Sequence, residues 1–220
     1  MKFIAKTILF LDTQDDSSEI IPINPKMPDF EIMILFSGLE RKLAGTAYNT
    51  RVDECKAASY ALKAYSGMDY GKYDISVLRD VPYGIFLDYK ALLPDTWRKR
   101  AEHYYEENRR VKEGIKAWKN GNIEKFGQLI FESGRSSIYK YETGSEELKV
   151  LQEIMQSTDG IYGGRFSGAG FNGSSMAIID PGKKEEIENF VRTKYLTKFP
   201  DLEDKFSIHF CKTANGVTID

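Results

Sequence analysis

Gly163-Gly164-Arg165-Phe166-Ser167-Gly168-Ala169-Gly170-Phe171-Asn172-Gly173-Ser174 is the stretch on which the reading of this 220-residue chain turns. Glycines at 168, 170 and 173 remove the Cβ that would hold backbone away from a neighbouring group. Successive amide N–H groups in such a bend can form a concavity that holds an anion. On composition alone, a tight turn or a close-packing device is the commoner use of such a bend. Its flanks are strand-like: Tyr162 to Ser167 and Ser175 to Ile179 read as two strands that the bend joins.

Downstream, Asp180-Pro181 opens a helix, because proline suits the first helical position and aspartate the cap. That helix turns Ile187, Phe190, Val191 and Tyr195 inward. Phe206 to Cys211 reads as a further strand, with Val217 to Ile219 as its hairpin partner. Upstream, Ser145 opens a helix with Leu148, Leu151 and Met155 facing in, and Asn122 caps one with Ile123, Phe126 and Ile130 facing in. A long helix runs from Asp95, read as a cap, to the stop at Asn120-Gly121. Tyr104, Asn108, Val111, Ile115 and Trp118 alternate at four and three residues, which predicts one apolar stripe on it.

A helix starts near Tyr48, with Asn49 as cap and Val52, Cys55, Ala58 and Leu62 as apolar face. Residues 66–81, rich in Gly, Asp and Tyr, read as a connection. Phe3 to Leu11, Glu19 to Ile23 and Ile32 to Phe36 read as strands, the last buried on both faces. Beginning on strands without upstream partners reads as a sheet entered midway. Strand, strand, helix, strand behind a group of helices argues for an α+β sandwich with antiparallel pairing.

Bulk properties exclude several classes. Acidic residues number 33 and basic residues 31, a formal charge of −2, so there is no basic surplus for nucleic acid. Cys55 and Cys211 cannot build a disulfide framework, and His103 and His209 lie far apart, which argues against a structural zinc. No apolar run is long enough to span a bilayer. Asp12, Asp15 and Asp16 follow the first apolar run without a small-residue cleavage site, so no signal peptide is read there and a cytoplasmic location is the simplest expectation.

Residues 163–174 are similar to the third signature of GHMP kinases, in the form Gly-Ala-Arg-Met-Thr-Gly-Ala-Gly-Phe-Gly-Gly-Cys found in galactokinases. The departures are Gly164, Phe166, Ser167, Asn172 and Ser174. Tyr48-Asn49-Thr50-Arg51, followed by Glu54-Cys55, resembles the galactokinase pattern Glu-Tyr-Asn-x-Arg-x-x-Glu-Cys. Arg100-Ala101-Glu102-His103, Phe126-Gly127 and Glu132-Ser133 resemble scaffold positions of the same family, and Tyr141-Glu142-Thr143-Gly144-Ser145-Glu146 resembles the galacturonokinase branch. The resemblance runs from about Leu9 to the C-terminus. It implies the GHMP C-terminal fold, an antiparallel ferredoxin-like sheet packed with helices, over residues 41–220. Residues 1–40 would then be strands from the end of the N-terminal lobe.

By the same resemblance, Tyr48 would hydrogen-bond the sugar, and Ser167, Gly168, Ala169 and Gly170 would support the phosphate-binding loop. Without the family match, a core tyrosine at a helix start is the commoner reading of Tyr48. ATP and Mg2+ would be the cofactors of the complete enzyme, and galactose or galacturonic acid its sugar. The family's Gly-Leu-Ser-Ser-Ser-Ala loop and catalytic aspartate have no counterpart here, and no catalytic or metal-binding residue is assigned. Leu9-Phe10-Leu11-Asp12-Thr13 resembles the strand just after that aspartate. Three readings follow: the C-terminal portion of a sugar-1-kinase, inactive alone; a non-catalytic sugar-binding or regulatory module; or a generic α+β interaction domain. The expected partners are a complementary N-terminal lobe or a second copy of the chain, since unpaired strand edges invite pairing.

Overall fold

The computed structural model describes residues 7–39, 45–71, 76–168, 170 and 173–215, with the backbone alone at 45–48. β1 (Thr7–Leu11) and β2 (Ser18–Pro22) form an antiparallel hairpin that pairs Ile8 with Ile21 and Phe10 with Glu19. The hairpin is pinned to the rest of the protein by polar contacts. Asp12 accepts two bonds of 2.6 Å from Arg79, and the Trp118 indole donates to the Pro22 carbonyl at 3.1 Å.

β3 (Glu31–Phe36) is followed by α1 (Gly45–Ser66), α2 (Tyr83–Tyr89), α3 (Asp95–Lys119), α4 (Ile123–Tyr139) and α5 (Glu146–Ser157). β4 (Ile161–Phe166), β5 (Ser174–Ile179), α6 (Lys184–Lys198) and β6 (Ser207–Cys211) complete the described elements. The four-stranded sheet has the order β4-β5-β3-β6, with every neighbouring pair antiparallel. Numbered within that sheet alone the order is second, third, first, fourth, which is the ferredoxin-like arrangement. Residue 40 is not a boundary for pairing, because β3 lies before it and bonds to β5 and β6, which lie after it.

Met33 and Leu35 of β3 and Ala177 and Ile179 of β5 point to one face of the sheet, where Leu148, Leu151, Met155, Ile187, Val191 and Tyr195 cover them. On the other face Ile32, Ile34 and Phe36 are only half-buried, so β3 is not closed on both sides as its apolar run suggested. A second cluster joins Ala58 and Leu62 of α1, Phe86 of α2 and Ala101 of α3.

Caps fall largely where polar residues precede apolar runs. The Asn122 side chain accepts from Lys125 N–H, Ser145 from Leu148 N–H, and Asp180 from Gly182 N–H. Asp180-Pro181 starts a short 3-10 turn, Pro181–Lys183, and α6 follows at Lys184. Two expected caps are not caps. α1 begins at Gly45, which puts Asn49 inside the helix, and the Asp95 carboxylate pairs with Arg98 and Lys99 instead of capping α3. The predicted stripe of α3 also turns out to face solvent at Asn108 and Val111, and Phe190 of α6 is exposed. The expected strand at 217–219 and the first residues of the strand from Phe3 lie outside the described residues.

Candidate functional site

β4 brings the chain to the glycine-rich bend and β5 takes it away. The bend is fastened by backbone bonds on three sides. Ser167 N–H donates to Ser174 O at 2.8 Å, Ser37 N–H to Gly173 O at 2.9 Å, and Ser145 N–H to Gly170 O at 2.9 Å. Gly168 and Gly170 have φ of +75° and +79°, in the left-handed region where a side chain is strained. Gly170 also has no room for a Cβ, which would lie 2.6 Å from the Phe166 ring and 3.0 Å from Gly144 N. Ser167 and Gly168 are exposed while Gly170 is buried. Ala169 lies outside the described residues.

Tyr48 is the fourth residue of α1, and its side chain lies outside the described residues. What the structure does show is how that end of α1 is held. Arg51 Nε donates to Tyr141 O at 2.8 Å and its Nη2 to Glu142 O at 3.1 Å, while Nη1 pairs with Glu54 at 3.3 Å. Arg100 of α3, wholly buried, donates to Glu54 Oε2 at 2.5 Å, to Glu142 Oε2 at 2.7 Å and to Lys140 O. Burial works against the charge on Arg100, but the bonds to Glu142 and Glu54 outweigh it and raise its pKa. The Arg100 bond in turn holds the Glu142 carboxyl below its usual range. Burial pushes the Cys55 thiol up, so that thiol stays protonated at neutral pH.

Behind the bend, Arg165 of β4 donates to Ser137 Oγ at 3.1 Å and to Ser133 Oγ, both on α4. Burial lowers its pKa. An apolar cavity of about 260 Å³ sits between Leu9 and Phe10 of β1 and Val111, Phe126 and Ile130 of the helices. Among the described residues no group of three His, Cys, Asp or Glu side chains is placed to hold a metal ion. No helix among them is long and apolar enough to cross a membrane.

Residues 112–197 match the family model described as GHMP kinases C terminal. That segment is a domain of the GHMP kinase C-terminal family. The chain is 36% identical over 201 residues to the galacturonokinase of Arabidopsis thaliana, covering 91% of this chain and 47% of that protein. It is 38% identical over 183 residues to the galactokinase of Lactobacillus helveticus, covering 83% and 44%. It superposes on the crystal structure of Lactococcus lactis galactokinase complexed with galactose with a TM-score of 0.81 and 27% identity, over 97% of this chain and 53% of that one. The chain thus spans about half the length of the relatives it matches, and corresponds to the C-terminal portion of sugar kinases.

The sequence motifs named Tyr48 and residues 167–170 as candidates but not what lies between them. Arg51, Glu54, Arg100 and Glu142 all fall inside quoted motifs, yet the sequence gives no sign that they meet. One local signal was available: Arg51 and Glu54 stand three apart, a spacing that pairs side chains on a helix.

Proposed function

We propose that this chain supplies part of the active site of an ATP-dependent sugar-1-kinase of the galactokinase or galacturonokinase type. In this reading ATP with Mg2+ provides the phosphoryl group, and none of this chain's residues is assigned to the metal. Tyr48 would offer its hydroxyl to the sugar, since a phenol both donates and accepts a hydrogen bond beside an apolar ring. Ser167, Gly168, Ala169 and Gly170 would brace the phosphates. Phosphoryl transfer depends chiefly on positioning and charge stabilisation, so a rigid backbone support is a fitting contribution from this half. The observation that carries the reading is the bend itself: a solvent-facing Gly168 with positive φ, in a bend fastened by three backbone bonds. Galactose and galacturonate differ by a carboxylate, and a cation near C6 would separate them.

The test is reconstitution. Purified chain is assayed for galactose and galacturonate 1-phosphate formation, alone and mixed with the N-terminal half of the Lactobacillus helveticus galactokinase. The expected result is no turnover alone, turnover on mixing, and a KM for sugar roughly tenfold higher with Tyr48→Phe, as for loss of one hydrogen bond. Robust turnover by the chain alone would overturn the assignment of an incomplete site. No product and no sugar binding in any mixture would overturn the kinase reading altogether. Sugar binding without turnover would favour a binding module.

A further inference from the structure

Segment 140–145 touches both halves of the candidate site. At one end, three successive carbonyls, those of Lys140, Tyr141 and Glu142, accept hydrogen bonds from Arg100 and Arg51. At the other, Ser145 N–H donates to Gly170 O, and Gly144 N lies where a Cβ on residue 170 would have to go. Arg51 sits one helical turn after Tyr48 in α1. The turn is therefore a strut with the Tyr48 helix at one end and the glycine-rich bend at the other.

The strut is held in a conformation it would not choose alone. Glu142 has a φ of +55°, a left-handed backbone at a non-glycine residue, and such strain persists only where the surroundings over-determine it. Here the surroundings are two guanidinium groups that fix both its carbonyl and its carboxylate. Glu54 receives both arginines as well, so α1, α3 and the strut share one ionic junction. A buried ion pair adds little stability over apolar packing, but removing one partner leaves the other charge buried and uncompensated. Arg100 is the buried member of that junction: from α3 its fork reaches Glu54 of α1, the Lys140 carbonyl and the Glu142 carboxylate, while Arg51, on α1 itself, reaches the Tyr141 and Glu142 carbonyls and lies 3.7 Å from the same carboxylate.

We propose that Arg100 is a positioning residue: acting through the 140–145 strut, it sets the Tyr48 end of α1 and the 167–170 bend in one mutual geometry. In terms of the kinase reading, on which the functional meaning rests, the sugar side and the phosphate side are held or released together. Lysine cannot replace it, since a single ammonium does not reproduce the planar fork.

Amide hydrogen exchange on the full chain tests the mechanical claim without any ligand. The variants are Arg100→Lys, and Glu142→Gln as a milder cut at a half-exposed position. Exchange of the Ser145 amide is expected to rise about tenfold in each, relative to Met33 and Ala177 in the central strands, as for loss of one charge-assisted bond. An unchanged Ser145 rate overturns the proposal. So does a rise shared equally by Met33 and Ala177, which would mean global loosening and no strut. In the reconstituted enzyme the same variants should raise the KM for sugar and for ATP together. If reconstitution gives no turnover, the kinase reading fails, while the exchange result still decides whether the strut exists.

Discussion

α4 crosses β4 with glycine against glycine, and Gly127→Ala measures how closed that crossing is. A Cβ on residue 127 would lie 2.0 Å from the Tyr162 carbonyl oxygen, 2.3 Å from its carbon and 2.8 Å from Gly163 N. The reverse substitution is no easier, since a Cβ on residue 163 would lie 2.2 Å from Gly127 O. Ordinary contact begins at 3.4 Å, so the helix must lift by about 1.4 Å, and the obstacle is backbone that no rotamer change can clear. A gap of that size forfeits at least half of each dispersion contact across the crossing. It also pulls Ser133 and Ser137 from Arg165, at about 1 kcal/mol for each bond lost. Overpacking and lost contacts together reach about 4 kcal/mol, against a helix-propensity gain of about 1 kcal/mol for alanine over glycine. The net expectation is a loss of about 3 kcal/mol, read by urea unfolding as a lower midpoint at unchanged slope. Gly84→Ala is the control, because a Cβ there meets nothing within 4 Å. If Gly127→Ala unfolds within about 0.5 kcal/mol of the parent, the helix and strand do not approach as described.

Three further outcomes are expected. His103 is held by burial at a pKa of about 4 against an ordinary 6.5, so the folded protein keeps it neutral while the unfolded chain takes up the proton first. Its contribution is complete above pH 6.5 and falls away as pH drops through 4; unfolding midpoints should show that slope, and His103→Gln should flatten it. Asp12, bonded by Arg79, titrates at about 2 against 3.8, so the hairpin contact persists above pH 3.8 and is lost as pH falls through 2. The Arg79 Nε–H resonance should follow that titration and be insensitive to it in Asp12→Asn. Tyr195→Phe removes a buried 2.7 Å bond to Ser37 O and leaves that carbonyl unpaired, which should cost about 1–2 kcal/mol in urea unfolding.

What the sequence reveals differs from element to element for physical reasons. Asn122 and Ser145 act as caps because capping is local: a side chain three residues from its partner N–H needs nothing else. α3 was legible as a helix and illegible as a surface. Its stripe of Tyr104, Asn108, Val111 and Ile115 leaves two members exposed, while Arg100 and Arg110, polar by any scale, are buried. A periodicity argument scores arginine as solvent-facing, and ion pairing with Glu54, Glu106 and Glu107 reverses that. α2 went unread because its seven residues are too few to show a period, and burial of Phe86 against α1 and α3 sustains it.

The bend shows the same division. Its glycines announce that backbone is used at close quarters, and positive φ at 168 and 170 agrees with that. They do not announce where. The place is set by Ser174, which closes the bend at the start of β5, and by two partners distant in sequence: Ser37 just after β3 and Ser145 at the head of α5. Each partner contributes only a backbone atom to these bonds, so almost any residue other than proline could make them and the residue types do not announce the contact. The site is therefore carried by the fold more than by side chains. A substitution that shifts α5 or β3 by half an ångström should disturb the bend as surely as one within it, because a hydrogen bond weakens steeply once its geometry is lost.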